Sequence, residues 1–438
     1  MSEVTSPGVA RLRVPNRTQV FINYQCLDEL LPPEHPARVV WAVTEKLDLS
    51  AFYAAIKAVA GVAGRDATDP RLLVSLWLYA AMDNVGSARR LAKLCEESDP
   101  YKWLCGGVSV NYHTLADFRV GHGAELDDLL SQVVASLVEQ GLVDVKRISQ
   151  DGVRVRAGAG ADSFRREETL AKLLAEAKAH IAELKKQVED PAAMAGVSAR
   201  QKAARERAAR ERAERIERAI EQLPELKAAQ EKQKEKSSEK QKEKLEKNPP
   251  RASTTDAVVR RMRMPDGGYR PAVNVQVATD TTGRAIVGVD VGNEGVDNQG
   301  QGPAMRKQVE ERSGETVKEH LQDGGYLTTD DIEAAEAEGV SLFVPPKSPR
   351  NKSKRQDGCD PKPGDSEAIA AWRRRMGSEE GKEVYKQRAA TSETVNGDLR
   401  CWRGLGQFLV RGLAKIRCVT LWSALAYNLL HFAAALVG

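Results

Sequence analysis

Lys146-Arg147-Ile148-Ser149-Gln150-Asp151-Gly152-Val153-Arg154-Val155 is the stretch that decides the fold. Val143 and Val145 just before it, and Val153 and Val155 within it, alternate with polar residues at the two-residue period of a strand. An acid, Asp151, falls inside this strand. The next extended runs lie far downstream. Ala272-Val273-Asn274-Val275-Gln276-Val277-Ala278 and Ala285-Ile286-Val287-Gly288-Val289-Asp290-Val291 flank Asp280-Thr281-Thr282-Gly283, which predicts a hairpin with glycine taking the positive φ. A helix over 302–312, a strand over 316–322 ending at Asp323, a helix over 329–338 and a strand over 340–344 follow, closed by Pro345-Pro346. Residues 366–418 read as helical, interrupted near Gly377 and Gly404. Strand, inserted helices, hairpin, helix, strand, helix, strand, helices is the order of a mixed α/β sheet, with an antiparallel hairpin beside parallel strands.

Residues 1–141 read as a helical N-terminal domain. Leu72, Leu73, Leu76, Trp77, Tyr79 and Ala80 mark a buried helix over 70–81, and Ser87 is placed to cap the next one. Thr114-Leu115-Ala116-Asp117-Phe118-Arg119 precedes a long helix over 126–140, which Gly141 ends. Short helices joined by tight turns, carrying Arg89, Arg90 and Arg119, fit a DNA-binding module. Ordinary surface arginines on a scaffold fit equally well. Residues 142–163 open the sheet, and 164–248 interrupt it. There Leu170, Leu174, Ala177, Ile181, Leu184 and Val188 alternate spacings of four and three, the seam of a coiled coil. Asp190-Pro191 ends that arm. A second arm from Ser198 carries Ala209, Ala213, Ile216, Ile220 and Leu223, so an antiparallel helical hairpin is expected. Past Pro224 the seam fades, and 230–248 read as solvated helix or disorder. Residues 249–438 complete the sheet and its C-terminal helices.

The chain has 438 residues with 66 Lys and Arg against 62 Asp and Glu, so its net charge of +4 decides little. Distribution says more: the basic residues crowd into 146–270, 345–355 and 372–417, which suggests a polyanionic partner. Six cysteines are scattered without zinc-ligand spacing, which implies a reducing compartment and no structural zinc. The N-terminus has no apolar signal core. Residues 421–438 are apolar but broken by Ser423, Asn428 and His431, so a buried terminal helix is expected rather than a membrane anchor. A cytoplasmic, nucleoid-associated protein fits these features.

Three acids stand out: Asp151 and Asp323, expected at strand ends, and Glu393, expected on a helix. Brought together, they would cage hard divalent cations and serve phosphodiester cutting and joining. Asp256, Asp280, Asp290 and Asp297 compete as carboxylates, with Asp280 read as turn chemistry and Asp297, beside Asn298, as a supporting group. The six histidines are too scattered to ligate a metal; His113 and His320 read as structural, and Trp402 and Trp422 as core.

Tyr385, Arg388 and Glu393, with Arg400 seven residues on, form a segment that resembles the Tyr–Arg–Glu–Lys signature of DDE transposases of bacterial insertion sequences. Asp323-Gly324-Gly325-Tyr326 resembles that family's second-aspartate motif, and Asp151-Gly152 its first. Pro271-Ala272-Val273-Asn274-Val275-Gln276, the segment over 114–119 and Ala426-Tyr427-Asn428-Leu429 match as well, so the resemblance spans about 21–432. It implies a ribonuclease-H-like core with Asp151, Asp323 and Glu393 as catalytic, metal-binding residues. The metal would be Mg²⁺, with Mn²⁺ as a substitute, as two ions roughly 3.5–4 Å apart. Tyr385, Arg388 and Arg400 would contact DNA. It further implies double-stranded DNA partners (element ends and target), a homodimer on paired ends, and strand cleavage followed by joining of 3′-hydroxyls. A DNA-binding derivative without activity and a hydrolytic nuclease of the same fold are the alternatives. Two departures matter. Arg400 stands where the family has lysine, and holds phosphate bidentately rather than as a point charge. The gap from Arg388 to Glu393 is one residue longer than the commonest family spacing, which on a regular helix rotates the two apart by about 100°.

Overall fold

The computed structural model describes residues 17, 18, 20, 24, 26–58, 61, 66–189, 198–235, 237–295, 300–346 and 358–437. Asp297, Asn298, the Asp190-Pro191 break and most of the basic loop over 345–355 lie outside the described residues.

The N-terminal helices start where the sequence caps them. α1 (Pro36–Lys46) and α2 (Pro70–Met82) each open on proline, whose missing N–H costs nothing there. Asp69 Oδ1 accepts from Arg71 N at 2.8 Å. Ser87 Oγ caps α3 (Ala88–Glu97) by accepting from Arg90 N at 3.4 Å, and Asn111 caps α4 (Tyr112–Gly121). In α5 (Gly123–Glu139), Leu126, Leu129, Leu130, Val133, Val134 and Leu137 make one buried stripe. Gly141 follows at φ +69°, the left-handed residue expected there.

The sheet has six strands: β1 (Arg147–Arg156), β2 (Arg260–Arg263), β3 (Tyr269–Asp280), β4 (Ile286–Gly292), β5 (Glu319–Leu321) and β6 (Ser341–Phe343). β1 pairs antiparallel with β3 along one edge and parallel with β5 along the other; β5 pairs parallel with β6. β2 and β4 share the remaining edge of β3, opposite 269–272 and 274–279 respectively. This mixed sheet, with a helical N-terminal region, is the ribonuclease-H-like arrangement.

The β3–β4 turn differs from expectation. Its positive φ is on Arg284, at +62°, and not on Gly283. Gly283 is needed for space, because a Cβ there would collide with the Leu142 carbonyl oxygen. Asp280 folds the turn by accepting from the backbone N–H groups of Thr282, Gly283 and Ala285, and burial pushes its carboxyl up to about 6.

The insertion is an intramolecular hairpin. α6 (Glu167–Glu189) and α7 (Ala199–Glu221) bury Leu170, Ala177, Ala213, Ile216 and Ala219 between them, and Lys178 pairs with Glu217 at 2.9 Å. The polar stretch beyond it is helical, as α8 (Leu223–Glu235) and α9 (Glu239–Lys247). Gln230 ties the two by donating to the carbonyls of Leu245 and Asn248, each at 2.9 Å.

α10 (Gln301–Ser313), α11 (Thr329–Ala337), α12 (Glu367–Gly377), α13 (Glu379–Arg388) and α14 (Thr394–Trp402) flank the sheet. The last long helix, α15 (Leu413–His431), buries thirteen residues from Ile416 to Leu429 against α2, α4, α5 and β4. The helices before 142 and the sheet after it therefore share one apolar core. Asn428 on α15 mimics a strand: its side chain accepts from Ile286 N and donates to Ile286 O, both at 2.8 Å. No helix among the described residues is long and apolar enough to cross a membrane. Trp422 is core, as expected, but Trp402 is 63% exposed at the end of α14, which corrects its reading as a core residue.

Candidate active site

Asp151 lies within β1 and not at its end. What ends beside it is β5. β1 and β5 run parallel with Arg147 opposite Glu319, Ile148 opposite His320 and Ser149 opposite Leu321. Continuing this register sets Asp151 beside Asp323 just past the last residue of β5. Both then project on the face of Ser149, because side chains alternate along a strand. The loop after Asp323 is a turn it helps to make, with Gly325 N donating to Asp323 Oδ1 at 2.6 Å.

Glu393 reaches the same place from the helices above. Ser149 and Ser392, both buried, meet at 2.5 Å and pin the helical segment onto β1. Asp151, Asp323 and Glu393 line one open cleft of ≈ 590 Å³, together with Arg154, Arg263, Asn396 and Arg400.

The long gap between Arg388 and Glu393 is absorbed by a change of helix. Residues Ala389–Glu393 form a single π-helical turn between α13 and α14. A turn closed by i→i+5 hydrogen bonds takes one residue more than an α-turn, so it brings Arg388 and Glu393 back onto one side. Arg388 Nη1 donates to Glu393 Oε1 at 3.2 Å, and its Nη2 lies 3.1 Å from Asp151 Oδ1. The expected rotation of Arg388 away from the acid does not occur. One guanidinium bridges two of the three acids.

The charges sense one another throughout. Burial alone would lower the Arg388 pKa, but Asp151, with Asp323 and Glu393, outweighs it and raises the value. Burial raises the Tyr385 hydroxyl; Arg388 opposes this and the three acids add to it. Tyr385 stands three residues before Arg388, on the same helical face.

Arg400 is exposed on the cleft wall, two turns beyond Glu393, with no ion-pair partner among the described residues. Arg89 and Arg90 are exposed at the start of α3, where Arg89 lies 5.2 Å over the Tyr112 ring. Arg119 is not on the surface. Its guanidinium lies 4.7 Å over Trp77 and donates to Gly86 O, and burial lowers its pKa to about 10. A DNA contact needs an exposed cation, so its reading as a DNA contact is corrected to a core role.

Three residues escaped the sequence reading. Asn396 Nδ2 donates to Asp151 Oδ2 at 3.3 Å; its position one turn after Glu393 was the available signal. Arg154 donates to the carbonyls of Arg263 and Gly295 at 2.9 and 3.1 Å, and Arg263 comes from β2, a strand the reading left unassigned.

Carboxylates are the hard oxygen donors that Mg²⁺ and Mn²⁺ prefer. As they stand, no three His, Cys, Asp or Glu side chains among the described residues are grouped tightly enough to hold a metal. Arg388 supplies the positive charge between two of the acids here, and the three carboxylates suit a hard divalent cation in donor type.

Residues 25–120 match the model of a transposase domain, DUF772, and residues 346–433 match that of the transposase DDE domain. The second match takes in Tyr385, Arg388, Glu393 and Arg400 and leaves both aspartates outside it. No curated protein and no solved structure matches the chain. Both matches are to transposase domains, and with the ribonuclease-H-like sheet that joins them they support a DDE transposase of insertion-sequence type.

Proposed function

We propose that this transposase binds the terminal inverted repeats of its element, cleaves at the ends and joins the freed 3′-hydroxyls to target DNA. The observation that carries this reading is the register of Asp151 and Asp323 on one sheet face, with Glu393 across the same cleft. Divalent metal bound by these three carboxylates would activate the attacking water or 3′-hydroxyl and offset the charge on the phosphodiester. The chain's own residues do the rest. Asp151, Asp323 and Glu393 concentrate negative charge at one point. Arg388 bridges two of them and fixes their orientation. Arg400, without an ion-pair partner among the described residues and planar, is suited to grip a phosphate through two N–H groups. Arg263 adds positive charge to the cleft lining.

Duplex DNA reaches this cleft past the N-terminal helices. Arg403 Nη1 donates to Met82 O at 2.7 Å, docking the end of α14 against the turn that leads into α3. Arg89 and Arg90 thus belong to the same rigid body as Arg400, and together they would track a phosphate backbone. Two protomers would pair the two ends. The insertion's apolar seam is spent within its own hairpin and is not free to pair two protomers.

The test incubates the protein with Mg²⁺ or Mn²⁺, labelled element-end DNA and a target plasmid, alongside Asp323→Ala. Joined products that vanish in the variant support the proposal. Cleavage without joining would indicate a nuclease of the same fold. Binding alone, equal in both proteins, would contradict an enzymatic role.

A further inference from the structure

A chain of buried amides lies behind the cleft. Gln150-Asp151-Gly152 and Gln322-Asp323-Gly324 are the same tripeptide, and the β1–β5 register sets them side by side. Alternation sends the two carboxylates to one face and the two amides to the other. There Gln322 Nε2 donates to Gln150 Oε1 at 3.1 Å. Gln150 Nε2 donates onward to Gln276 Oε1 in β3 at 2.9 Å, and Tyr326 Oη donates to the same oxygen. All four side chains are buried. Gln150 spends its acceptor on one neighbour and a donor on the other, so its amide cannot flip without breaking both bonds. Gly302 on α10 makes the room: a Cβ there would stand 2.7 Å from Gln322 Nε2.

The ladder between β1 and β5 stops at Leu321, two residues before Asp323. Past that point the amide bond from Gln322 to Gln150 continues the link from Asp323's segment to Asp151's strand. We infer that the chain Tyr326–Gln276–Gln150–Gln322 sets the spacing between Asp151 and Asp323. Its members are positioning residues: Gln150 and Gln322 act through the acid that follows each in sequence, and Gln276 and Tyr326 act through Gln150. This rests on the reading of the two aspartates as metal-binding. Buried networks of this kind hold one geometry when every member is satisfied, and losing one member loosens the whole.

The test measures Mn²⁺ binding to the full chain by calorimetry, and thermal melting in EDTA, for Gln322→Met, Tyr326→Phe and Asp151→Asn. Gln322→Met is expected to weaken Mn²⁺ about tenfold or more, the usual effect of removing a group that orients a metal ligand. Tyr326→Phe, which loses one hydroxyl, shifts it several-fold in the same direction, and both should exceed what any change in melting explains. Should Gln322→Met fail to fold, Tyr326→Phe decides. Affinities within twofold of wild type in folded variants, with binding lost in Asp151→Asn, would overturn the amide chain alone. A wild type that binds no Mn²⁺, or binds it as Asp151→Asn does, would overturn the metal site and this inference together.

Discussion

Arg388 and Glu393 are hydrogen-bonded at 3.2 Å although they stand five positions apart, and the same guanidinium reaches Asp151 at 3.1 Å. Arg388→Met leaves Asp151 without its cation in a half-buried setting. We expect a loss of roughly 2 kcal/mol in EDTA. Mn²⁺ should restore more stability to the variant than to wild type, because it then supplies the missing charge. Thermal melting with and without Mn²⁺ reads both effects; equal shifts in the two proteins would contradict the bridging role.

The π turn makes a separate prediction. Deleting Ala390 should let the turn close as an ordinary α-turn with Arg388 four positions before Glu393, a spacing that keeps the two side chains on one face of the helix. The deletion should therefore melt within a few degrees of wild type and keep its cleavage of element-end DNA within about tenfold. A loss of cleavage by about 10²-fold or more in the folded deletion would mean that the π turn itself, beyond the Arg388–Glu393 alignment, is required.

Arginines separate by exposure. Replacing Arg89 and Arg90 with Ala removes up to two phosphate contacts, so the slope of log K against log salt should become shallower by up to about 1.8. Arg119→Met should leave that slope unchanged and lower stability, since Arg119 is buried over Trp77. Filter binding across a salt series distinguishes them.

His320 carries a pH signature. It is fully buried on β5, neither ring nitrogen has a hydrogen-bond partner among the described residues, and burial, with Arg306 nearby, holds its pKa well below the ordinary value. The native state keeps it neutral while the unfolded chain takes up a proton near pH 6.5. Its contribution is therefore intact above about pH 6.5 and is lost as pH falls, by up to about 1.4 kcal/mol per unit. His320→Leu should flatten the stability profile between pH 7 and 5. An unchanged profile would place the acid sensitivity in other groups.

Much of this was legible in the chain. The alternation around Asp151 and the β3–β4 hairpin are local patterns, and the sheet order follows from them. The three acids were legible by motif. The π turn was not: its only trace was one extra residue before Glu393, and whether a helix rotates or bulges at such a residue depends on what the segment packs against, here Ser149 on β1. Arg119 misled because the identity of an arginine does not tell which side of a helix meets Trp77. The repeated Gln-Asp-Gly was visible throughout, yet it acquires meaning only once β1 and β5 lie in register, a contact that spans 172 positions.

In the proposed mechanism Asp151, Asp323 and Glu393 hold divalent metal in one place. Fe²⁺ bound there, with ascorbate and peroxide, generates hydroxyl radicals that cut backbone close to the ion. The account predicts three sets of cuts, near 151, 323 and 393, all suppressed together by excess Mg²⁺ and all lost in Asp323→Asn. Cuts at only one of these segments, or at three that Mg²⁺ suppresses independently, would contradict it.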